Sequence, residues 1–207
     1  MKRIIILSTV FVLFLSGFVF GQTSFDGCPA TGNRHKTKKN PTGKVPTREQ
    51  GLNARKNRDT KPATIDHTIA FDSLVKAKEE TDLNFNKAVQ IIAYVVSVKD
   101  GEPGESCNCA RDDLKDIHIQ VVGKEVDKSD KTKFVIFEIT PRFEGELGTT
   151  DTVKDTIEGK WVRFTGYLTY DYKHRGNASN RKKKGNIWRA TAWEVHPVTA
   201  FEVVPAP

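Results

Sequence analysis

Three observations predict a mainly β fold built as a five-stranded barrel. After residue 87 the apolar pattern takes a period of two. One helical stretch interrupts the strands, and residues before 67 carry almost no apolar periodicity with which to build a core. The 207 residues suffice for one domain with a real interior, and not obviously for two.

The first element is not part of that domain. Residues 1–21 begin with Lys2 and Arg3, continue as an uncharged apolar run from Ile4 to Phe20, and end on small Gly21, the pattern of a secretory signal peptide cut after Gly21. No cysteine follows the cut closely enough to accept a lipid, and nothing later in the chain is apolar for long enough to span a bilayer. The expected product is exported, to the periplasm or the extracellular space.

Residues 22–66 are rich in Gly, Pro, Thr, Asn and Lys and read as a basic, irregular extension. In the stretch that follows, Ile69, Leu74, Val75 and Ala77 fall near helical spacing behind Asp66, predicting one short helix on the domain with Asp66 as its cap. Residues 67–207 form the barrel domain. Strands are expected at 88–98, 116–122, 134–140, 160–171 and 187–204, where β-branched and aromatic residues alternate with polar ones. Between the third and fourth, Thr149 or Thr150 caps a short helix that Gly159 ends. Three strands, a helix, then two strands is the connectivity of an OB-like barrel, and Gly166 suits a sharp strand bend at a barrel corner.

Charge separates the two parts. The formal +7 contains +2 from Lys2 and Arg3 and +6 from residues 23–66, so residues 67–207 are near −1. A neutral barrel lacks the basic groove that nucleic acid needs, so nucleic acid is not the favoured partner. Cys28, Cys107 and Cys109 all follow the cut, where disulfides persist. A C-x-C pair has poor geometry for bridging itself, so Cys28 is expected to pair with Cys107 or Cys109, leaving one thiol. Metal ligation by the C-x-C pair is the competing reading, although zinc sites favour wider spacing.

The chemistry-bearing residues concentrate in two places. On an OB-like scaffold the loops joining strands 1 to 2 and 4 to 5 flank the binding surface, and here they span residues 99–115 and 172–186. The second carries His174, Arg175, Arg181, Lys182, Lys183 and Lys184 as a candidate ligand loop. Two acid-x-His pairs, Asp116 with His118 and Glu194 with His196, each share one face of a strand. If those faces meet, the four groups suit a divalent metal or general acid–base work. Alternation puts Glu194 and His196 on a polar surface and turns Trp193 into the core. Glu138 interrupts an apolar run and needs a partner, for which Arg142 and Arg163 are the candidates. No nucleophile elbow, phosphate loop or H-E-x-x-H motif occurs.

The segments LNARKNRD (52–59), ESCNCARDDLKDIHIQ (105–120), EITPRF (138–143), FTGYLTYDYKH (164–174) and WRATAWEVHPVTAFEV (188–203) resemble a group of exported bacterial proteins of uncharacterised function. The resemblance implies an exported single domain and brings no activity, cofactor or catalytic residue with it. The expected function is an exported module that binds an extracellular or envelope ligand through the two loops. The alternative is a metal-dependent, phosphodiesterase-like hydrolase using the acid/His pairs and a divalent metal.

Overall fold

The computed structural model describes residues 23–182 and 185–207; the expected signal peptide, residues 1–21, lies outside them. Five strands, β1 (Ala88–Asp100), β2 (Ile117–Val122), β3 (Val135–Ile139), β4 (Trp161–Tyr170) and β5 (Trp193–Val203), close into a barrel in the order β1-β2-β3-β5-β4. All neighbours are antiparallel except β3 and β5. The long β1 serves two partners. Its first half pairs with β4, its second with β2, and the pairing with β2 shifts register between Val95 and Ser97. The mainly β, five-stranded barrel is therefore the observed fold.

Alternation fills the interior. Ile117, Ile119 and Val121 from β2, Val135, Phe137 and Ile139 from β3, and Trp193 and Val195 from β5 all lie in one buried cluster. Phe137 and Phe164 meet edge to face inside it, with centroids 5.1 Å apart. Gly166 sits where β5 crowds β4: an added Cβ would lie 2.4 Å from the Pro197 carbonyl oxygen. The β4–β5 register shifts on both sides of that glycine, as expected at a bent corner.

Several element boundaries differ from expectation. The single helix between the third and fourth strands is two, α3 (Pro141–Leu147) and α4 (Thr150–Ile157); Gly148 at φ +105° ends the first, and the Thr149 hydroxyl caps the second. The expected helix after residue 66 is α2 (Phe71–Lys76), and it starts after Ala70 rather than Asp66. Asp66 instead accepts bonds from the Thr68 backbone and hydroxyl in a local turn. β5 begins at Trp193, because residues 187–192 run irregularly into the barrel wall.

The larger correction concerns residues 22–66, which are not an irregular tail throughout. Thr47–Lys56 form helix α1, whose inward stripe is Glu49, Leu52, Asn53 and Lys56. That is helical spacing with polar residues on the buried side. Asn53 and the adjoining Asn57 bond the Thr31, Ala30 and Cys107 carbonyls, tying α1 to the chain on both sides. A disulfide joins Cys28 to Cys109 across 81 residues, so the extension is stapled to the β1–β2 loop, and Cys107 remains a buried thiol.

Candidate functional site

The outer face of β2, β3 and β5 carries a row of ionisable side chains. His118 on β2 stands opposite Glu138 on β3 in the strand register. On the other side of β3, the parallel pairing of Ile136 with Glu194 and Phe137 with Val195 brings His196 alongside Glu138. His118 Nε2 lies 3.2 Å from Glu138 Oε1, and His196 Nδ1 lies 2.6 Å from Glu138 Oε2. Asp116, at the entrance to β2, places Oδ2 3.5 Å from His196 Nε2. Both acid/His pairs thus converge, with Glu138 between them.

Glu194 and His196 are 1% and 0% exposed, so the expected polar surface is instead a buried polar layer. Trp193 does turn into the core, where it meets Tyr170 edge to face. What covers the other face is α1 through Lys56, the β1–β2 loop through Cys107, and Arg189 from the segment before β5. Lys56 projects from α1 to within 2.8 Å of Asp171, 3.9 Å of Glu194 and 4.0 Å of Glu138. Arg189, fully buried, lies 2.8 Å from Glu194 and donates through Nε to the Thr191 carbonyl. Glu138 does not pair with the expected arginines. Arg142 bonds the Thr23 carbonyl, and Arg163 pairs with Glu202 on the surface.

Burial sets the titration of the cluster. It opposes the Lys56 ammonium, but Asp171, Glu194 and Glu138 outweigh it and hold that group well above its ordinary value. Burial likewise pushes Asp171 up, yet Lys56 keeps it well below the usual carboxylate range. Glu138 is also held low, by His196 and then Lys56 against its own burial. The His196 imidazole would be lowered by burial, but the Glu138 and Asp116 carboxylates raise it to about 10. Asp116 shifts in the opposite direction to Asp171 and Glu138. Its burial outweighs the attraction of His196 and raises it to about 7.

Asp116, His118 and Glu138 form the floor of a cavity of about 660 Å³, a size suited to a small ligand. One wall comes from the β1–β2 loop, through Gly101, Glu102 and Glu105. The opposite wall is His174, Trp188 and Arg189, in which the His174 and Trp188 rings stack edge to face at 5.3 Å. Both expected loops therefore reach the cavity, but only part of the basic loop does. Arg181 turns away to Glu79, and Arg175 and Lys182 stand outside the cavity lining. Lys183 and Lys184 lie outside the described residues. On the floor side, the Cys107 thiol reaches Glu105 at 3.3 Å and Asp116 at 3.8 Å; burial and then the Asp116 charge push it well up, so it remains a thiol rather than a reactive thiolate.

Sequence reasoning missed Lys56, Asp171, Arg189 and Glu105 as members of the site. Lys56 was concealed in a polar stretch, Asp171 and Arg189 at strand margins, and only the unpaired charge of Glu138 pointed to missing partners. No protein-family model, curated protein or solved structure matches this chain.

Proposed function

We propose that the protein is an exported binding module that takes a small, hydroxyl-rich ligand, an envelope glycan fragment, into the cavity between the 99–115 loop and the wall formed by His174, Trp188 and Arg189. The observation that carries this reading is the meeting of two loops, some 70 residues apart in sequence, over the β2–β3 face to enclose about 660 Å³. OB-type barrels use this face and these loops for oligonucleotides and oligosaccharides. Here Asp100, Glu102, Glu105, Asp116 and Glu138 outnumber Lys99, Lys131 and Arg189 in the cavity lining and disfavour a polyanion, whereas an aromatic wall with carboxylates and a guanidinium suits a sugar. Export is supported by the charged and apolar start, by the Cys28–Cys109 disulfide, and by the resemblance to exported bacterial proteins.

Trp188 lines the cavity, so titration with chito-oligosaccharides and soluble peptidoglycan fragments should give a saturable change in tryptophan fluorescence that Trp188→Ala removes. Silence across that panel by both fluorescence and calorimetry, or equal binding by Trp188→Ala, would overturn the reading. A second reading, a metal-dependent hydrolase, is favoured by one observation: donor atoms of Asp116, Glu138 and His196 lie within 4.8 Å of one another, and the first two residues line the cavity. Turnover of bis(p-nitrophenyl) phosphate with added zinc or manganese, lost in Asp116→Asn, would select it.

A further inference from the structure

We propose that Asp116, Glu138 and His196 bind one divalent transition ion of the zinc class, which enters from the cavity. Three observations support the site independently. One oxygen of each carboxylate and one ring nitrogen of His196 lie within 4.8 Å of one another on three adjacent strand segments. Ligands about 2.0–2.2 Å from a common ion sit at comparable mutual spacings. Asp116 Oδ2 and His196 Nε2, 3.5 Å apart, already stand at such a separation.

The second observation is that the buried donors are unsatisfied. Asp116 Oδ1, Glu138 Oε2 and both ring nitrogens of His196 are buried without a hydrogen bond. The 2.6 Å approach of His196 Nδ1 to Glu138 Oε2 lacks hydrogen-bond geometry, so these atoms are crowded together without being bonded to each other. Buried polar atoms normally have partners, and orphans gathered on three neighbouring ligand-type side chains, of which His196 can offer one ring nitrogen, mark a missing one.

Charge is the third observation. Asp116, Glu138, Glu194 and Asp171 are four buried carboxylates, and among the described residues Lys56 and Arg189 are the permanently charged buried cations set among them. A divalent ion supplies the two missing positive charges with His196 neutral, the form in which imidazole ligates. One imidazole with two carboxylates favours zinc, manganese or iron over magnesium or calcium, which prefer all-oxygen shells. Asp116 and Glu138 open onto the cavity, which leaves a coordination position for water or a ligand.

The inference does not depend on the glycan reading: a cavity that binds no sugar would still hold the ion. The test is elemental analysis of the secreted, full-length product, followed by chelator stripping and calorimetric titration with zinc chloride and manganese chloride. One equivalent of metal per chain is expected, retained against a large excess of calcium and lost in Asp116→Asn. X-ray absorption on the zinc-loaded wild type needs no variant and should show an oxygen and nitrogen shell containing imidazole. No retained metal, equal retention by a folded Asp116→Asn, or a shell without imidazole would each overturn the site. In that event the deficit is met by protons on His196 and Asp116.

Discussion

Both faces of β5 are buried over Trp193–Thr199, by opposite means. Trp193 and Val195 point inward and are covered by the apolar interior, whereas Glu194 and His196 point outward and are covered by a polar helix and two polar loops. The inner face is held by nondirectional burial, in which a lost side chain leaves a cavity and the neighbours relax around it. The outer face is held by matched charges at particular distances, and removing one member strands the others in a medium that cannot solvate them. A layer of the second kind contributes little as a whole and tolerates single losses poorly.

The inner face should break most simply. Trp193→Ala removes the largest fully buried side chain and the bond from its indole nitrogen to the Glu79 carbonyl, and should cost about 3–5 kcal/mol in urea unfolding. For the outer face, Lys56→Met should cost a similar amount, about 3–5 kcal/mol, although it keeps most of the side-chain volume. The two differ in repair. Adding Asp171→Asn should recover part of the Lys56→Met loss by removing its 2.8 Å partner, while no neutralising change near Trp193 should help. Equal behaviour of both sites in that double-mutant comparison would erase the distinction.

Next in size is the tether that holds the polar cover in place. Replacing Cys28 and Cys109 together by serine should cost about 2–5 kcal/mol and expose residues 23–60 to protease before the barrel strands. Early cleavage within β1–β5 would show that cover and barrel unfold as one.

A change of pH acts on the outer face alone. In chelator-treated protein, His196 holds its proton to about pH 10 when folded but releases it near its ordinary 6.5 when unfolded. A raised folded value means stability is fully present below pH 6.5 and is lost as the pH climbs toward 10. The slope should approach about 1.4 kcal/mol per pH unit for the one proton involved. Asp116, raised from 3.8 to about 7, adds a loss of the same sign and similar size between about pH 4 and 7. Urea midpoints across this range provide the measurement, and a flat alkaline limb would mean that the imidazole is already neutral in the fold. The smallest effect is expected at Arg181→Ala, whose pairing with the mostly exposed Glu79 should be worth about 0.2–1 kcal/mol.

Helices α4 and α1 show why one layer was legible in the sequence and the other was not. In α4 the buried residues are Val153 and Ile157, four apart, behind a threonine cap, and ordinary amphipathic reading finds them. In α1 the buried residues Glu49, Leu52, Asn53 and Lys56 keep the same helical spacing, but three of the four are polar. A hydrophobic pattern cannot register a helix that buries charge, since its inward face resembles a solvated one. The same limitation made Glu194 and His196 read as surface, although the acid/His pairing itself marked them as candidates.

By itself, the sequence determined the barrel class: five alternating strands in succession, the intervening helical region and the bend at Gly166 all follow from local steric preference and from burial of one strand face, whereas the sheet order β1-β2-β3-β5-β4 does not. It also narrowed the disulfide to Cys28 with one member of the C-x-C pair. Only the tertiary structure decided that Cys109 is the partner, that residues 47–56 cover β4 and β5, and that Asp116, His118, Glu138 and His196 form one cluster. The physical reason is range. Backbone preference and apolar period act between near neighbours and leave a trace in any short window, whereas a buried charge is tolerable only because of partners 82 to 138 residues away, as Lys56 is with Glu138, Asp171 and Glu194.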